Sequence, residues 1–349
     1  MTPFQSGCWL SAWYASLGQR KGVTPWPIEF RDRRSKEIVA ALPLILRRRD
    51  GLRVAEFADL SVTDYNGPVF ASSAPGDLRW LPTIIDAIGE TPMPCDVLHL
   101  SKIRLSAAQA SSLPCIGKCD LHANTVRIEG PWESYRRGTL KKKFRREMER
   151  SLRVFHRDSG SGRFQRITDL NQAWGVLEQM ETIQQKRMES LGQTFLLNGP
   201  GFREFYRELL SQGLADGSVL LTALLDGNAD TVSAMMGIRH DRHYAMIRMA
   251  QDAEFWSRCS PGKLIILTTM EYLHGEGITE FDFTTGDYPY KQGFAVEQEP
   301  LYEVQLGISL RGRVALKRRQ ALDRVKARMR HTALYKTAKN LMANSKTDP

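Results

Sequence analysis

The sequence predicts a mixed α/β protein made of two similar units. A chain of 349 residues is too long to form one ordinary hydrophobic core, and this length suggests about two domains. The elements recur in one order in both halves: amphipathic helix, antiparallel strands, helix and strand. No stretch reaches the roughly 18 consecutive apolar residues of a membrane span. We therefore expect an α+β protein with mixed sheets.

The first half opens with a helix in residues 4–18, where Phe and Trp recur at helical spacing as far as Gly18. Asp50-Gly51 is a strong hairpin signal between two strands, and Pro43 indicates an edge or a bulge. The remaining predicted elements are a strand or loop at 60–70, a helix at 78–90 and a buried strand at 95–103.

The second half repeats this order after a Gly/Ser spacer. Ser260 as N-cap and Pro261 at the first helical position mark the start of its last helix. The predicted elements are helices at 170–192 and 200–217, a three-strand meander at 218–252, the helix at 260–277 and a strand at 279–286. The meander turns at Asp226-Gly227 and at residues 240–243, so His240 and His243 are expected to be solvated.

Positive charge is concentrated in two segments. Residues 136–157 hold ten Lys or Arg against two Glu, and residues 311–341 hold eleven against one Asp. Since the whole chain carries +10, the remainder carries −8. We place domain boundaries accordingly: residues 1–130, a basic connecting helix at 131–160, a second domain at 161–310 and a basic tail at 311–349.

The first basic segment has an apolar stripe, which predicts a helix docked on the protein. Two roles stay open for its basic face: a solvated surface, or recognition of an anionic ligand. The stripe consists of Leu140, Phe144, Met148, Leu152 and Phe155.

The tail has a weaker helical pattern. A basic amphipathic helix suits an anionic membrane surface. Nucleic acid ranks second, because no nucleic-acid-binding motif accompanies the charge. The apolar positions are Val314, Leu322, Val325, Met329 and Leu341.

The five cysteines form no C-x-x-C pair and have no ligand cluster around them, so we expect reduced thiols and no metal. The N-terminus lacks the pattern of a secretory signal. These features favour a cytoplasmic protein, with peripheral attachment at the inner membrane left open.

Two stretches could carry chemistry. At residues 258–265 a helix start offers unpaired amides, and Gly262 and Lys263 could admit an anion, although ordinary capping is the alternative. In residues 281–294, Asp282 lies on a strand between two Phe residues and needs a partner if buried. Arg248 is the expected partner, in either a functional or a structural pair.

These residues resemble the CelD-type branch of the GNAT acyltransferase superfamily. The likeness rests on "RCSPGKLI", "FDFTTGDYPYKQGF" and, in the first half, "FQSGCWLSAW", "VAALPLIL" and "FADLSVTDYNGP". It covers residues 4 to about 310. The tandem layout is more distantly similar to the FemABX aminoacyl transferases.

The resemblance implies two GNAT-like domains, the first degenerate and the second keeping an acyl-CoA site. The pyrophosphate would lie at Ser260, Pro261, Gly262 and Lys263, and the pantetheine arm beside residues 244–250, including Tyr244 and Arg248. The sequence departs from the GNAT phosphate loop, since Arg258 is followed by Cys-Ser-Pro-Gly.

Four residues are catalytic candidates within this resemblance. Asp282 and Asp287 are candidates for a base or an acceptor-binding carboxylate, and Tyr290 for a proton donor to the thiolate. Lys291 is a candidate to hold a donor phosphate or an acceptor carboxylate. The expected activity is transfer of an acyl group, acetyl first, from acyl-CoA to an amine of a sugar, polysaccharide or envelope precursor.

Two alternatives remain. One is a FemABX-like transferase that uses aminoacyl-tRNA, which the two basic helices would grip. The other is a non-catalytic accessory protein of polysaccharide synthesis.

Overall fold

The fold is described from a computed structural model. The structure describes residues 2–72, 74, 81–83, 85, 87, 93–111, 116–195, 197, 199 and 201–330. The strands are β1 (Val23–Pro25), β2 (Ile28–Arg31), β3 (Ile38–Leu42), β4 (Leu44–Arg49), β5 (Leu52–Phe57), β6 (Val69–Phe70), β7 (Val97–Arg104), β8 (Ile116–Arg127), β9 (Arg163–Ile167), β10 (Val219–Leu225), β11 (Thr231–His240), β12 (His243–Gln251), β13 (Glu280–Asp282) and β14 (Glu297–Gly307).

The helices frame this sheet system on both sides. They are α1 (Gly7–Ala15), α2 (Ala107–Ser111), α3 (Trp132–Gly138), α4 (Lys142–Asp158), α5 (Leu170–Ser190), α6 (Phe202–Gly213), α7 (Ala253–Trp256), α8 (Pro261–Gly275) and α9 (Leu310–Arg330). Short 3₁₀ segments lie at Pro3–Gln5, Leu17–Gln19, Ser257–Cys259 and Pro289–Phe294, and residues 81–83, 85 and 87 are also helical. The mixed α/β class predicted from the sequence is confirmed.

One eleven-stranded sheet runs through both halves, in the order β1-β4-β5-β7-β14-β8-β13-β12-β11-β10-β9. In each half antiparallel strands lead to one parallel pair, β5 with β7 and β12 with β13. A separate three-stranded sheet contains β2, β3 and β6.

The two halves exchange their last strands. β8 follows β7 in the chain but pairs with β13 of the second half, and β14 follows β13 but pairs with β7 of the first. β8 and β14 also pair with each other at the centre of the sheet. The predicted domain boundaries remain a prediction, and hydrogen bonds of one sheet cross them.

Several local predictions are confirmed in the first half. Phe4, Trp9 and Trp13 of the opening segment are completely buried, and Trp9 packs edge-on against Phe205 of α6. Asp50 and Gly51 both adopt positive φ, as the tight turn between β4 and β5 requires. Pro43 differs from its prediction: it lies neither on an edge strand nor at a bulge, but between β3 and β4, where the chain leaves the small sheet and enters the large one. The predicted helix at 78–90 lies mostly outside the described residues.

The basic connection is two helices rather than one, since α3 ends at Gly138 and α4 begins at Lys142. Leu140, Phe144, Met148 and Phe155 are buried as predicted. Leu152, however, is 41% exposed, and Ser151 takes the buried position. The prediction for Leu152 was wrong because the stripe drifts around the helix, since 3.6 residues per turn do not divide evenly into steps of four.

Helix α9 confirms the helical pattern of the tail as far as Arg330, and Leu341 lies outside the described residues. Its Val314, Leu322 and Val325 side chains are exposed. Of the helices that the structure describes, none combines the length and the apolar character needed to cross a membrane.

Candidate active site

The candidate site lies where β12 and β13 stop pairing. Their parallel register covers only three residue pairs, ending at Ala245 with Asp282. A register shift opposite Met236 and Gly237 leaves Ile247 bulged in β12. A bulge of this kind bends its strand and redirects side chains. The far end of β12 therefore separates from β13.

Asp282 is fully buried at the end of β13. Its Oδ1 accepts hydrogen bonds from the Tyr65 hydroxyl at 2.7 Å and from the Thr284 amide at 2.6 Å. Its Oδ2 lies 3.3 Å from His243 Nε2 and 3.5 Å from the Thr125 hydroxyl. Phe281 and Phe283 point to the opposite face, as strand alternation predicts.

The cation beside Asp282 is Arg104, on β7 of the first half. Its Nη1 lies 3.5 Å from Asp282 and 3.4 Å from Glu280, and its Nη2 donates to Glu299 at 2.9 Å. The expectation that Arg248 pairs with Asp282 was wrong. The exchanged strands bring a first-half arginine here, and sequence adjacency gave no sign of it.

His243, Glu280 and Asp282 also have the composition of a metal-binding group, with ligand atoms within 4.8 Å of one another. The Arg104 guanidinium already supplies positive charge to both carboxylates. These carboxylates therefore suit an arginine better than a metal ion, and the expectation that no metal takes part stays a prediction.

Lys291 is 2% exposed and lies in the 3₁₀ segment after β13. Its Nζ donates to the carbonyl oxygens of Thr284 at 3.1 Å and Thr285 at 2.9 Å. Burial lowers its pKa to about 8, against the opposing influence of Asp64 and Asp282. A buried ammonium with this pKa exchanges its proton near neutral pH.

Asp64 completes the cluster from the first half. Its carboxylate accepts a hydrogen bond from the Thr285 hydroxyl. Burial raises the pKa of Asp64, and the charge of Asp282 adds to this effect. Because the Thr285 carbonyl also holds Lys291, one residue links a carboxylate of raised pKa to a lysine of lowered pKa.

Arg248 lies on the same face of the sheet but in a different setting. Its Nε donates to Gln184 Oε1 at 2.7 Å, and its Nη1 lies 3.7 Å from Glu181. The guanidinium stacks over the Tyr206 ring at 4.7 Å, and burial lowers its pKa. Gln184 also donates to the Met249 carbonyl at 2.9 Å. Helix α5 thus covers the bulged part of β12.

The predicted phosphate site at the start of α8 is occupied by the protein's own groups. Gln251 Oε1 accepts from the Gly262 amide at 2.7 Å, and Lys263 Nζ lies 2.7 Å from Glu147 of α4. Ser260 has a left-handed backbone, and its carbonyl accepts from the amides of residues 263 and 264. Pro261 is buried. A Cβ on Gly262 would lie 2.2 Å from Gln251 Oε1.

Three other predicted residues lie apart from Asp282. Tyr244 is buried on the opposite face, and its hydroxyl has no hydrogen-bond partner among the described residues. Tyr290 packs on that face against Phe283, and burial raises its pKa to about 12. Asp287 is exposed and accepts a hydrogen bond from Gln298. Of the four catalytic candidates, the structure brings Asp282 and Lys291 together.

Sequence reasoning missed the first-half contributors. Asp64 and Tyr65 lie in "FADLSVTDYNGP", which was noticed only as a resemblance, and Arg104 follows the predicted strand at 95–103 without any motif. His243 was expected to be solvated, but its side chain is 13% exposed and contacts Asp282. It begins β12 instead of ending the turn, so its ring points at the neighbouring strand.

Comparison with known proteins supports the architecture. Residues 142–292 match the family model described as "Acetyltransferase (GNAT) domain". A sequence search of curated proteins gave no match.

Two solved structures share the fold. The crystal structure of FemX superimposes with a TM-score of 0.60 at 11% identity, covering 87% of this chain and 92% of FemX. A conserved protein of unknown function from Bacteroides thetaiotaomicron gives 0.51 at 12% identity, covering 87% and 90%. Residues 142–292 therefore match a GNAT-type acetyltransferase domain, within a larger fold similar to that of FemX.

Proposed function

We propose that the protein transfers an acyl group, with acetyl as the first candidate, from acyl-CoA to the amine of an acceptor. The observation that carries the proposal is a pair of titratable groups, the part-buried Asp64 and the buried Lys291, held through Thr285 beside the diverging strands. The CelD-type resemblance supports an acceptor on a sugar, polysaccharide or envelope precursor.

The reaction has a defined proton balance. The neutral amine attacks the thioester carbon, the new C–N bond forms and the C–S bond breaks. One proton leaves the amine and one proton is taken up by the departing thiolate. The site must supply a base, an acid and a fixed geometry for both substrates.

Asp64 suits the base and Lys291 the acid. A carboxylate of raised pKa is a better proton acceptor than an exposed one. The pKa of about 8 for Lys291 lies close to the value near 8.5 of an ordinary thiol, so proton transfer to the thiolate is nearly balanced in free energy. The protonated amine also stabilises negative charge in the transition state.

Asp282 acts as a positioning residue in this proposal. Its carboxylate is occupied by Tyr65, the Thr284 amide and the Arg104 and His243 side chains. The Thr284 contact fixes the start of the loop that carries Thr285 and Lys291. Asp282 therefore joins Tyr65 of the first half to the loop of the second.

A second donor class has an observation in its favour. The Gly262 amide and the Lys263 side chain, which would hold the CoA pyrophosphate, already have protein partners. The basic helix α4 packs directly beside this helix start, with Phe155 against Trp256. An aminoacyl-tRNA donor would place its phosphates on α4 and leave the start of α8 as it is.

Calorimetric titration with acetyl-CoA, longer acyl-CoAs and bulk tRNA separates these cases. Saturable binding of a CoA thioester supports the proposal. Binding of tRNA alone would replace it with the aminoacyl-tRNA reaction, and binding of none would favour a non-catalytic accessory role.

Replacing Gln251 tests where the donor phosphates lie. Gln251→Ala frees the Gly262 amide. CoA affinity should therefore rise several-fold, because the Gln251 side-chain oxygen no longer competes with a phosphate oxygen for the Gly262 N–H. Gln165→Ala is the matched control. It removes a glutamine of the edge strand β9 that is hydrogen-bonded to Gln172 of α5, and it should leave CoA affinity unchanged. Equal CoA affinity in wild type and Gln251→Ala would move the phosphate site away from α8.

A further inference from the structure

A groove of about 850 Å³ lies between helix α9 and the first-half strands β5 and β7 with the adjoining β14. Its volume is within the range of roughly 300–1,000 Å³ typical of small-molecule sites. It is formed by residues outside the candidate active site. Nothing in the acyl-transfer proposal uses it.

The sheet wall of the groove is largely apolar. Ala55 and Leu98 point into the core on one face of the sheet. Because side chains alternate along a strand, their neighbours Val54 and Val97 line the groove on the other face, together with Leu52 two residues before Val54. His99 and Gln305 lie on the same wall, where His99 Nε2 is 2.9 Å from Glu303.

The helix wall is apolar and incompletely covered. Leu310, Val314 and Leu322 line the groove and remain 78%, 43% and 60% exposed. These positions differ by four and eight residues, so they lie on one side of the helix. An apolar side of a helix that faces a cleft and stays exposed has surface left to cover.

Four arginines surround the apolar walls: Arg49, Arg311, Arg318 and Arg319. Arg49 is paired with Glu56 at 3.2 Å, and Arg311 donates to the Gly51 carbonyl at 3.5 Å. Arg318 has no ion-pair partner among the residues that the structure describes. With Asp50 as the single acidic lining residue, the groove carries an excess of positive charge.

We propose that this groove binds an anionic lipid, with an acyl chain between α9 and the sheet and the phosphate on the arginines. The combination of apolar walls and cationic rim matches an amphiphile that carries both parts. Residues 331–349 of the chain are a poor alternative occupant, because they carry three Lys against one Asp and would face a basic rim. The proposal gives the basic helix a specific lipid site in addition to its general attraction to anionic surfaces.

Titration of the full-length protein with soluble short-chain lipids tests the site. We expect saturable binding of dihexanoyl phosphatidylglycerol, at least tenfold weaker binding of dihexanoyl phosphatidylcholine, and no binding of glycerol phosphate in the same range. Glycerol phosphate that bound as tightly as the anionic lipid would reduce the groove to an anion site and overturn the proposal.

Two variants test the two parts of the groove separately. Arg318→Gln/Arg319→Gln removes charge from the rim, and Val314→Trp fills the groove from an exposed position without changing charge. Each should weaken phosphatidylglycerol binding at least tenfold. The matched control Arg150→Gln/Arg153→Gln removes two exposed charges from α4 and should stay within twofold of wild type.

Two results with these variants would contradict the proposed lipid site. Unchanged affinity in Val314→Trp, with a native circular dichroism spectrum, would show that the acyl chain does not occupy the groove. Equal losses in the α9 and α4 double variants would indicate diffuse attraction to positive charge and reject a built site. Vesicle flotation with and without phosphatidylglycerol then reports whether the same variants weaken attachment to a bilayer.

Discussion

At the scale of single residues, the candidate site depends on neighbours that are far away in sequence. Lys291 and Asp282 are close in the chain, but Tyr65, Asp64 and Arg104 come from the first half. Burial against these groups raises the pKa of Asp64 and lowers that of Lys291. The chemistry of the loop is therefore set by residues about 200 positions away.

Replacing Lys291 tests its role as an acid. If its protonated form is required, kcat/KM should fall as pH rises through about 8, where the group loses its proton. Lys291→Met should lower kcat about 10²-fold and abolish that alkaline limb, because no proton remains to donate. The exposed Lys143→Met is the matched control and should keep the wild-type profile.

Stability gives an independent readout of the same lysine. Its pKa is near 10.5 in the unfolded chain and about 8 when folded, so the unfolded state binds more protons between these values. Lys291 should therefore add stability as pH rises from about 8 towards 10.5. Urea unfolding of Lys291→Met should lack this gain, and an identical pH dependence in wild type and variant would contradict the burial of the ammonium.

At the scale of elements, the basic connection is a docked pair of helices. Phe144 packs against Phe294, at the end of the 3₁₀ segment after β13, and Phe155 packs against Trp256 of α7. Helix α4 is therefore fixed to the second half at two separate places. Its Glu147 reaches Lys263 at the start of α8. The basic side of α4 therefore flanks a region that the sequence assigned to donor binding.

Alanine substitutions separate the docked side of α4 from its exposed side. Phe155 is completely buried, and Phe155→Ala should cost about 3–5 kcal/mol because it leaves a cavity. Leu152 is largely exposed, and Leu152→Ala should change the free energy of unfolding by less than about 0.5 kcal/mol. If denaturant unfolding showed the same loss of unfolding free energy in both variants, α4 would pack against the protein with a different side.

At the scale of the whole molecule, the exchange of β8 and β14 makes each half depend on the other. β14 lies between β7 and β8 and hydrogen-bonds to both. Leu301 and Val304 of β14 are fully buried. Removing this strand would leave two unpaired edges in the middle of the sheet, which favours aggregation.

Truncations test this dependence. A chain that ends at residue 296 lacks β14 and should be insoluble or unfold without a cooperative transition. A chain that ends at residue 309 keeps β14, lacks only α9 and the tail, and should unfold cooperatively with a lower midpoint. A native-like circular dichroism spectrum and a cooperative transition in the shorter chain would disprove the role of β14.

The sequence by itself determined the local elements and the family resemblance. Helical spacing predicted α1 and α4, and the Ser260-Pro261 start predicted α8. The Asp50-Gly51 turn predicted a hairpin, and alternation placed Asp282 opposite its two Phe neighbours. These features depend on residues within one or two turns of each other, so a single stretch of chain contains the information.

Tertiary structure alone decided which residues meet. The exchange of strands brought Arg104 to Asp282 in place of Arg248, and the fold turned His243 towards the same carboxylate. It also filled the predicted phosphate site with Gln251. Each of these contacts joins distant segments through the register of one long sheet, and that register depends on the packing of the whole chain.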